Sequence, residues 1–267
     1  SVMTKSTQQV SVLDGHISVK PARRMRALLA LALVLAAWGL AWSAAEADAA
    51  PKLKTMTYNL HGNLGTQDGT YSGAAIANVI RTQNADVVGL QEVCASQLAD
   101  LRSRLLADGY SYTQHYVTVP GTSCGDFGIG FLSKLPLADP STTVLPTYNE
   151  KRAVIGATVT QGGLQVRVFN SHASPGAGTT HTIPIAEETL TTSIARRVVM
   201  GDFNVNTSNT AALEPFTDRA LTEVDPTNTP TSPASSPTSK IDYIWVSNPI
   251  TTDSRSVPNT TASDHRP

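Results

Sequence analysis

The sequence predicts an α/β fold (α+β in arrangement) in which two mixed β-sheets pack face to face and helices cover their outer faces. The main observation is the order of the elements: strand and helix alternate twice, several strands follow one another, and the chain ends on helix, strand, loop and strand. The second observation is a hairpin turn, Gly162-Gly163, between two of the consecutive strands. Together they fit two packed mixed sheets better than a single parallel, doubly wound sheet.

The first half of the domain supplies two strand–helix pairs. A strand is predicted over 53–59 because apolar and polar residues alternate there, and a loop rich in Gly, Asn and Asp follows. Apolar residues at helical spacing predict a helix over 74–83. A buried strand over 86–90 and a helix over 96–107 follow, and the leucines of that helix, including Leu106, are expected on one buried face.

The second half is dominated by strands. Strands are predicted over 110–119, 127–133, 153–160 and 164–171, and a helix over 185–195 leads to a short apolar strand over 198–200. Residues 225–239 are dense in Pro, Thr and Ser, which predicts a surface loop. A last strand is predicted over 240–246, where Asp242 interrupts an otherwise apolar segment.

The stretch with the clearest chemical pattern follows the strand over 198–200. Gly201 permits a tight turn, and Asp202 and Asn204 lie two residues apart, so in an extended chain their side chains point the same way. A carboxylate and an amide held together at a strand end suit a hydrated cation or a water bound to a phosphate. Taken alone, the same residues also fit a strand that ends in an Asx turn.

Other polar residues stand at strand ends in the same way. The set comprises Asn59, Glu92, Asn170, His172, Asp202, Asn204, Asp242, Asp264 and His265. Buried carboxylates require a cation or a protonated partner, which is a physical reason to expect a divalent metal among them.

Each member also has a structural interpretation. Asn59 could cap a turn, Glu92 could begin a helix, and Asp242 could lie on the surface. We interpret His61, His115 and His181 as structural. Arg152 could approach a phosphate, but we expect it to be a solvated residue at the start of a strand.

The sequence pattern of residues 1–50 indicates that they are not part of the folded domain. Basic residues precede an uncharged apolar run over 27–42, and small residues with Ala-x-Ala sites follow it. This pattern is typical of a secretory signal peptide, so we expect an extension and signal peptide over 1–50, with Met25 as a candidate start, and a secreted domain over 51–267. The alternative is an uncleaved membrane anchor, for which the apolar run is short.

Charge and cysteine content limit the function classes. The first 50 residues hold five of the 20 basic and three of the 21 acidic residues, so the remainder carries 15 and 18 and a net charge of −3. This balance argues against a protein that binds nucleic acid by broad phosphate neutralisation. In an exported chain, the pair Cys94 and Cys124 favours a disulfide; a nucleophile or metal ligand is the alternative, and no CxxC pairing supports it.

Six segments in order resemble one known family. They are Thr57-Tyr58-Asn59, Leu90-Gln91-Glu92-Val93, Asn170-Ser171-His172, Gly201-Asp202-Phe203-Asn204, Lys240-Ile241-Asp242-Tyr243 and Ser263-Asp264-His265. They resemble the motifs of the endonuclease/exonuclease/phosphatase family, which has the deoxyribonuclease I fold, and they span nearly all of 53–267. The resemblance implies a four-layer sandwich and cleavage of a phosphoester with Mg²⁺, with Mn²⁺ or Ca²⁺ as alternatives.

The resemblance also implies roles for individual residues. Glu92 would be the principal metal ligand, with Asn59 and Asp264 close to it. Asp202 would orient or deprotonate the attacking water, and Asn204 would hold that water or a phosphate oxygen. His265, paired with Asp242, and His172 would supply protons or hydrogen bonds to the phosphate and the leaving oxygen.

The sequence contains few features that indicate which substrate the protein acts on. Segments typical of inositol-polyphosphate 5-phosphatases are absent, and no aromatic hairpin suggests sphingomyelinase-like membrane contact. A secreted endonuclease acting on nucleic acid is the leading hypothesis, and a monomer is expected. A phospholipid or phosphomonoester hydrolase is the alternative, and a non-catalytic binding protein on the same scaffold is a third.

Two departures from the family's pattern are visible. Relatives usually continue past Ser-Asp-His-x-Pro into a final sheet strand, whereas this sequence stops at Pro267. Either the sequence is truncated or the domain lacks that strand. The connection from His172 to Asp202 also lacks a helix rich in Arg and Gln, which suggests altered loops on the substrate side.

Overall fold

A computed structural model describes residues 50–62, 71–119 and 127–267. The predicted extension and signal peptide over 1–50 fall, except for residue 50, outside the described residues, as does Cys124, so the signal peptide and the disulfide remain predictions. Within the described parts of the chain, every helix is too short or too polar to cross a membrane.

The first sheet has four strands in the order β1-β2-β4-β3. Strands β1 and β2 are parallel and the other neighbours are antiparallel, so the sheet is mixed. Two helices accompany it, because apolar residues recur at helical spacing between its strands. The elements are β1 (Thr55–Asn59), α1 (Gly73–Gln83), β2 (Val87–Cys94), α2 (Ala95–Ala107), β3 (Thr113–Thr118) and β4 (Phe127–Ser133).

The second sheet has six strands in the order β5-β6-β7-β8-β10-β9. Strands β7 and β8 are parallel and the remaining neighbours are antiparallel. The elements are β5 (Ala138–Val144), β6 (Ala153–Gln161), β7 (Leu164–His172), α3 (Thr179–Glu188), β8 (Arg197–Asp202), α4 (Thr210–Thr217), β9 (Leu221–Glu223) and β10 (Asp242–Ser247).

Three apolar clusters arrange these elements as a four-layer sandwich. One cluster joins the first sheet to α1 and α2, and includes Ile76 and Leu101. A second joins the second sheet to α3 and α4, and includes Ile185 and Phe216. The third lies between the two sheets and is built from inward-facing strand residues such as Phe131. The predicted fold class is therefore confirmed.

A buried polar pair crosses the interface between the sheets. The Nε2 of Gln91 on β2 donates a hydrogen bond to Oδ1 of Asn170 on β7 at 2.6 Å. The Nδ2 of Asn170 donates in turn to the carbonyl oxygens of Leu90 and Gly130 in the first sheet. Both side chains are fully buried, so a shift of one sheet against the other would leave buried polar groups without partners. This pair favours one register between the sheets.

The secondary-structure predictions were wrong in several places. The predicted helix over 185–195 lies earlier, at Thr179–Glu188, and includes Pro184. Strands β5 and β9 and helix α4 were not predicted, because β5 is a mostly exposed edge strand without alternation and α4 is short and contains Pro215. Leu106 is 63% exposed rather than buried with its neighbours.

The end of the chain lies against the first strand. No strand follows β10 within the described residues, and β1 is an edge strand with β2 as its one neighbour in the sheet. The Ser263 hydroxyl donates to the carbonyl oxygen of Asn59 at 2.7 Å, and Ala262 packs on the adjoining core. Residues close to the end of the chain thereby reach the polar end of β1.

Gly201 allows β8 to approach β7 closely, and its substitution is expected to destabilise the fold. A Cβ at this position would lie 2.0 Å from the backbone oxygen of Ser171. Because two sheet strands would have to move apart, we expect Gly201→Ala to lower the free energy of unfolding by about 3 kcal/mol in urea denaturation. Gly163→Asn, at a hairpin turn with open space around it, is the control. Its φ of +77° is strained for most side chains but is adopted more readily by Asn, so the change should cost no more than about 1 kcal/mol.

Candidate active site

The predicted site residues come together where both sheets present strand ends. Because β1 and β2 run parallel, as do β7 and β8, their carboxyl ends meet at one edge of each sheet. His172 and Asp202 are register partners across β7 and β8, and Asp242 of the antiparallel strand β10 faces Asp202 from the other side. The fold thereby gathers side chains that are up to about two hundred positions apart in the sequence.

Asp202 lies at the centre of the cluster and is almost completely buried. Its Oδ2 accepts a hydrogen bond from Nδ2 of Asn59 at 3.0 Å, and its Oδ1 accepts one from the backbone N–H of Asn204 at 2.9 Å. Burial raises the pKa of the Asp202 carboxyl, and the negative charge of Asp242 raises it further, against the opposing effect of His265. A carboxylate with a raised pKa is a better proton acceptor than an ordinary aspartate.

Asn204 is held in a specific backbone conformation next to Asp202. Its φ is +49°, a left-handed conformation that Asn adopts more readily than most residues. Its Nδ2 donates to the carbonyl oxygen of Ala173 at 2.9 Å. Between the two polar residues, the Phe203 ring turns into the core and stacks on Phe216 and Tyr243. This anchor fixes the chain on which Asp202 and Asn204 stand.

Glu92 is positioned by an irregularity in β2. The register between β2 and β4 shifts between Leu90 and Val93, and Glu92 has a φ of +50°. Its Oε1 accepts a hydrogen bond from Nδ2 of Asn59 at 3.0 Å, and 22% of its side chain remains exposed. Asn59 therefore joins Glu92 to Asp202 through a single amide group.

His265 and Asp242 form a buried pair. The ring Nδ1 of His265 donates to Oδ2 of Asp242 at 2.9 Å, and its Nε2 lies 3.8 Å from Oδ2 of Asp202. Thr231 also donates to Oδ2 of Asp242. Burial alone would lower the pKa of His265, but the charge of Asp242 and its hydrogen bond outweigh burial and raise the pKa to about 10. His265 is therefore an imidazolium at neutral pH.

His172 has the opposite character. Burial lowers its pKa well below the ordinary value, and the charge of Arg152 lowers it further. The Nη1 of Arg152 lies 2.7 Å from Nδ1 of His172, while the ring Nε2 lies 3.6 Å from both Glu92 Oε1 and Asp202 Oδ2. The prediction that Arg152 is solvated was wrong: its side chain is 8% exposed and also pairs with Glu150.

Asp264 lies at the more open side of the cluster. Its Oδ2 is 3.4 Å from Nδ1 of His61, and its Oδ1 accepts a hydrogen bond from Ser263. About a third of each of the two paired side chains is exposed. The backbone N–H of His61 also donates to Oδ1 of Asn59, which turns the Asn59 nitrogen toward the two carboxylates. His61, interpreted from the sequence as structural, therefore contacts two of the predicted metal-site residues.

The donor set fits a divalent cation that prefers oxygen. In the part of the chain that the structure describes, two groups of three side chains have ligand atoms within 4.8 Å of one another: Glu92 with His172 and Asp202, and Asp202 with Asp242 and His265. In the first group, two carboxylate oxygens are available and Glu92 is open to solvent, as a hard ion that retains some of its water requires. In the second group, His265 and Asp242 already use their facing atoms on each other. We therefore regard the side of Glu92 as the better metal site.

Sequence patterns did not indicate several residues that complete the cluster. Arg152 and Thr231 each contact a predicted site residue from a segment without a recognisable motif. His181 behaves as expected of a structural residue, since its ring bonds to backbone atoms of Ser174 and Pro146. Proximity in the fold, rather than spacing in the sequence, identifies these residues.

Comparison with solved structures gives similar folds over most of the chain. An endonuclease/exonuclease/phosphatase from Beutenbergia cavernae DSM 12333 is 26% identical with a TM-score of 0.65, over 81% of this chain and 70% of that one. A mannosyl-6-phosphatase from Bacteroides thetaiotaomicron is 20% identical with a TM-score of 0.64, over 80% and 97%. TDP2 from D. rerio, solved with a single-stranded DNA product, is 18% identical with a TM-score of 0.61, over 80% and 96%.

Comparison at the level of sequence families agrees with the fold. No curated protein sequence matches the chain. The model of the Endonuclease/Exonuclease/phosphatase family matches residues 56–265, a range that includes every predicted site residue. The protein therefore belongs to the endonuclease/exonuclease/phosphatase family.

Proposed function

We propose that the protein is a secreted, Mg²⁺-dependent phosphodiesterase that cleaves nucleic acid internally by attack of water on a phosphodiester bond. The observation that supports this most directly is the arrangement around Asp202. A buried carboxylate with a raised pKa lies 3.8 Å from the ring of His265, which is charged at neutral pH. A proton acceptor and a cationic donor thus face the same space, as hydrolysis of a phosphoester requires.

Glu92 would hold the metal ion, with Asp264 close by and Asn59 orienting the Glu92 carboxylate through its amide. A bound Mg²⁺ would supply a positive charge that offsets the charge developing on the phosphoryl oxygens. Mn²⁺ or Ca²⁺ would suit the same oxygen donors.

The remaining roles follow from hydrogen-bonding capacity. Asp202 would accept a proton from the attacking water as its oxygen bonds to phosphorus, and Asn204 would help to hold that water. His265 would donate a hydrogen bond from Nε2 to the phosphoryl group as the bond to the leaving oxygen breaks, while Asp242 keeps its ring charged and oriented. The leaving oxygen then takes a proton from solvent and Asp202 returns its proton to solvent, so that one water is consumed and the products are an alcohol and a phosphomonoester.

One observation favours nucleic acid as the substrate, and others favour a small phosphorylated molecule. The TDP2 structure contains a single-stranded DNA product, and polymeric phosphodiesters are common outside cells. The mannosyl-6-phosphatase has a similar fold, and residues 51–267 carry a net charge of −3. A small phosphorylated substrate does not require a basic surface, so a phosphomonoesterase is the second candidate function.

Nicking of supercoiled plasmid by the purified protein tests the proposal. We expect relaxed and then linear DNA with 5 mM Mg²⁺ and no product with EDTA. A parallel assay measures phosphate release from a sugar phosphate under the same conditions. Phosphate release without nicking would select the second candidate. If a folded protein performed neither reaction, the proposed function would be refuted.

A further inference from the structure

Arg152 occupies a position beside the cluster that the proposed mechanism leaves without a role. It stands one residue before β6, on the loop that connects β5 and β6, and the residue is 6% exposed. Its Nη1 lies 2.7 Å from Nδ1 of His172, and its Nη2 pairs with the carboxylate of Glu150. Burying a charged guanidinium costs free energy unless its N–H groups have hydrogen-bond partners. The position of His172 as one of these partners therefore requires an explanation.

The chemistry of the contact determines where the imidazole proton lies. An arginine side chain has five N–H donors and no acceptor, and it remains charged at any pH that the fold tolerates. At 2.7 Å, therefore, Nδ1 of His172 must be the acceptor and cannot carry a proton. The proton of the neutral ring is consequently on Nε2, the atom that faces Glu92 and Asp202.

The surroundings of Nε2 agree with a donor at that position. Carboxyl oxygens of Glu92 and Asp202 both lie 3.6 Å away, and both can accept a hydrogen bond from Nε2. The Nδ2 of Asn204, 3.3 Å from Nε2, donates one of its two N–H groups to the carbonyl oxygen of Ala173. Because Nδ1 accepts from Arg152, a neutral ring carries its proton on Nε2, and the approach of Asn204 to Nε2 is then a contact and not a hydrogen bond. A proton on Nε2 therefore has two acceptor oxygens close by, whereas an unprotonated Nε2 would place its lone pair opposite the lone pairs of these oxygens.

We propose that Arg152 is a positioning residue that holds His172 as the neutral tautomer with its proton on Nε2. This inference rests on the proposed function for its catalytic meaning. In this arrangement the two histidines have different roles. His172 donates a hydrogen bond from Nε2 to a substrate oxygen and does not release its proton, while His265 brings the positive charge. Glu150, half exposed at the other end of the guanidinium, keeps Arg152 aimed at the ring.

The arrangement differs from the pair formed by His265. There a carboxylate accepts from Nδ1 and favours a charged ring, whereas here a cation donates to Nδ1 and excludes a charged ring. Two histidines of one cluster are thus held in different protonation states by partners of opposite charge. A symmetric role for both rings as proton donors does not fit these contacts.

Nitrogen-15 NMR of the metal-free protein tests the proposal without relying on catalysis. Long-range proton–nitrogen correlations at pH 7 distinguish the two neutral tautomers and the charged form, and the signals missing in His172→Gln assign the ring. We expect His172 in the wild type to show an unprotonated Nδ1 and a protonated Nε2. A proton on Nδ1 in the wild type overturns the proposal, whether or not any variant folds.

Two variants then test whether Arg152 is the cause. Arg152→Met removes the donor and should populate the other tautomer, with kcat reduced at least tenfold and KM changed less than threefold. Arg152→Lys keeps a donor and should retain the wild-type tautomer and more of the kcat. Arg104→Met, which removes an exposed arginine paired with Asp100, is the matched control and should change neither. A folded Arg152→Met protein with the wild-type tautomer overturns the proposal.

Kinetics separates this role from a direct contact with substrate. If Arg152 only bound the phosphate, its loss would raise KM and leave the tautomer of His172 unchanged, which contradicts the proposal. If the wild-type protein hydrolysed no phosphoester at all, the proposed function would be refuted. The tautomer result would still decide the structural part of the inference by itself.

Discussion

Replacing His265 with alanine is expected to lower kcat by about 10³-fold, because the charged ring is lost from the space beside Asp202. Among the described residues, His265 lies outside any strand, in the irregular segment after β10, and contacts Asp242 through its side chain. The fold should therefore tolerate the change, with a circular dichroism spectrum like that of the wild type. Initial rates of plasmid nicking at pH 7 with saturating Mg²⁺ measure the effect. A kcat within tenfold of the wild type would contradict the role assigned to His265.

Asp242→Asn provides a second test of the same pair through pH. Asp242 keeps the pKa of His265 at about 10 against the effect of burial, so the ring stays charged well above neutral pH. The activity of the wild type should consequently persist through pH 9. Without the negative charge, the folded-state pKa falls, and the alkaline loss of activity should move toward neutral pH by at least about one unit. An unchanged alkaline limit would show that the charge of His265 is not required.

The matched stability control is His181→Gln. His181 is another buried histidine, but its ring bonds to backbone atoms of Ser174 and Pro146 and is not part of either ligand group. The substitution should lower Tm through the loss of those two hydrogen bonds. Its kcat should remain within a fewfold of the wild type, which distinguishes the effect of losing a buried histidine from the effect of losing His265.

The central part of the site could be predicted from the sequence because its polar residues directly follow apolar segments that form strands. Apolar runs such as 198–200 form buried strands, and polar residues directly after them, such as Asp202, are placed by the backbone itself. Parallel pairing of β1 with β2 and of β7 with β8 then brings these strand ends together. Eight of the predicted site residues therefore lie around one cluster, although the sequence alone could not supply their distances.

The partners that tune the site could not be predicted in this way. Arg152 reaches His172 from a turn that has no periodic pattern, and Thr231 reaches Asp242 from a loop rich in Pro and Ser. Their contacts depend on tertiary packing rather than on local spacing. The same reason accounts for the missed strand β5, an edge strand whose side chains face solvent and therefore carry no alternation.

Glu92→Gln is expected to abolish both metal binding and activity. Within its ligand group, Glu92 has the side chain most exposed to solvent. A cation that enters from solvent would therefore be attracted mainly by the charge of the Glu92 carboxylate. At a Mg²⁺ concentration ten times its Kd, binding to the folded wild type adds about 1.4 kcal/mol. For a domain of this size, that raises Tm by about 3–5 °C. We expect this rise to disappear in Glu92→Gln, as measured by thermal denaturation with and without metal.

Asp202→Asn separates water activation from metal binding at the same cluster. The amide retains the size of the carboxylate but cannot accept a proton, so kcat should fall by about 10³-fold. Because Glu92 and Asp264 keep their charges, Mg²⁺ should still raise Tm. A variant that is inactive yet stabilised by metal would place Asp202 in proton transfer and Glu92 in metal binding. Loss of metal stabilisation in Asp202→Asn would instead make Asp202 a principal ligand, and another group would then have to accept the proton of the attacking water.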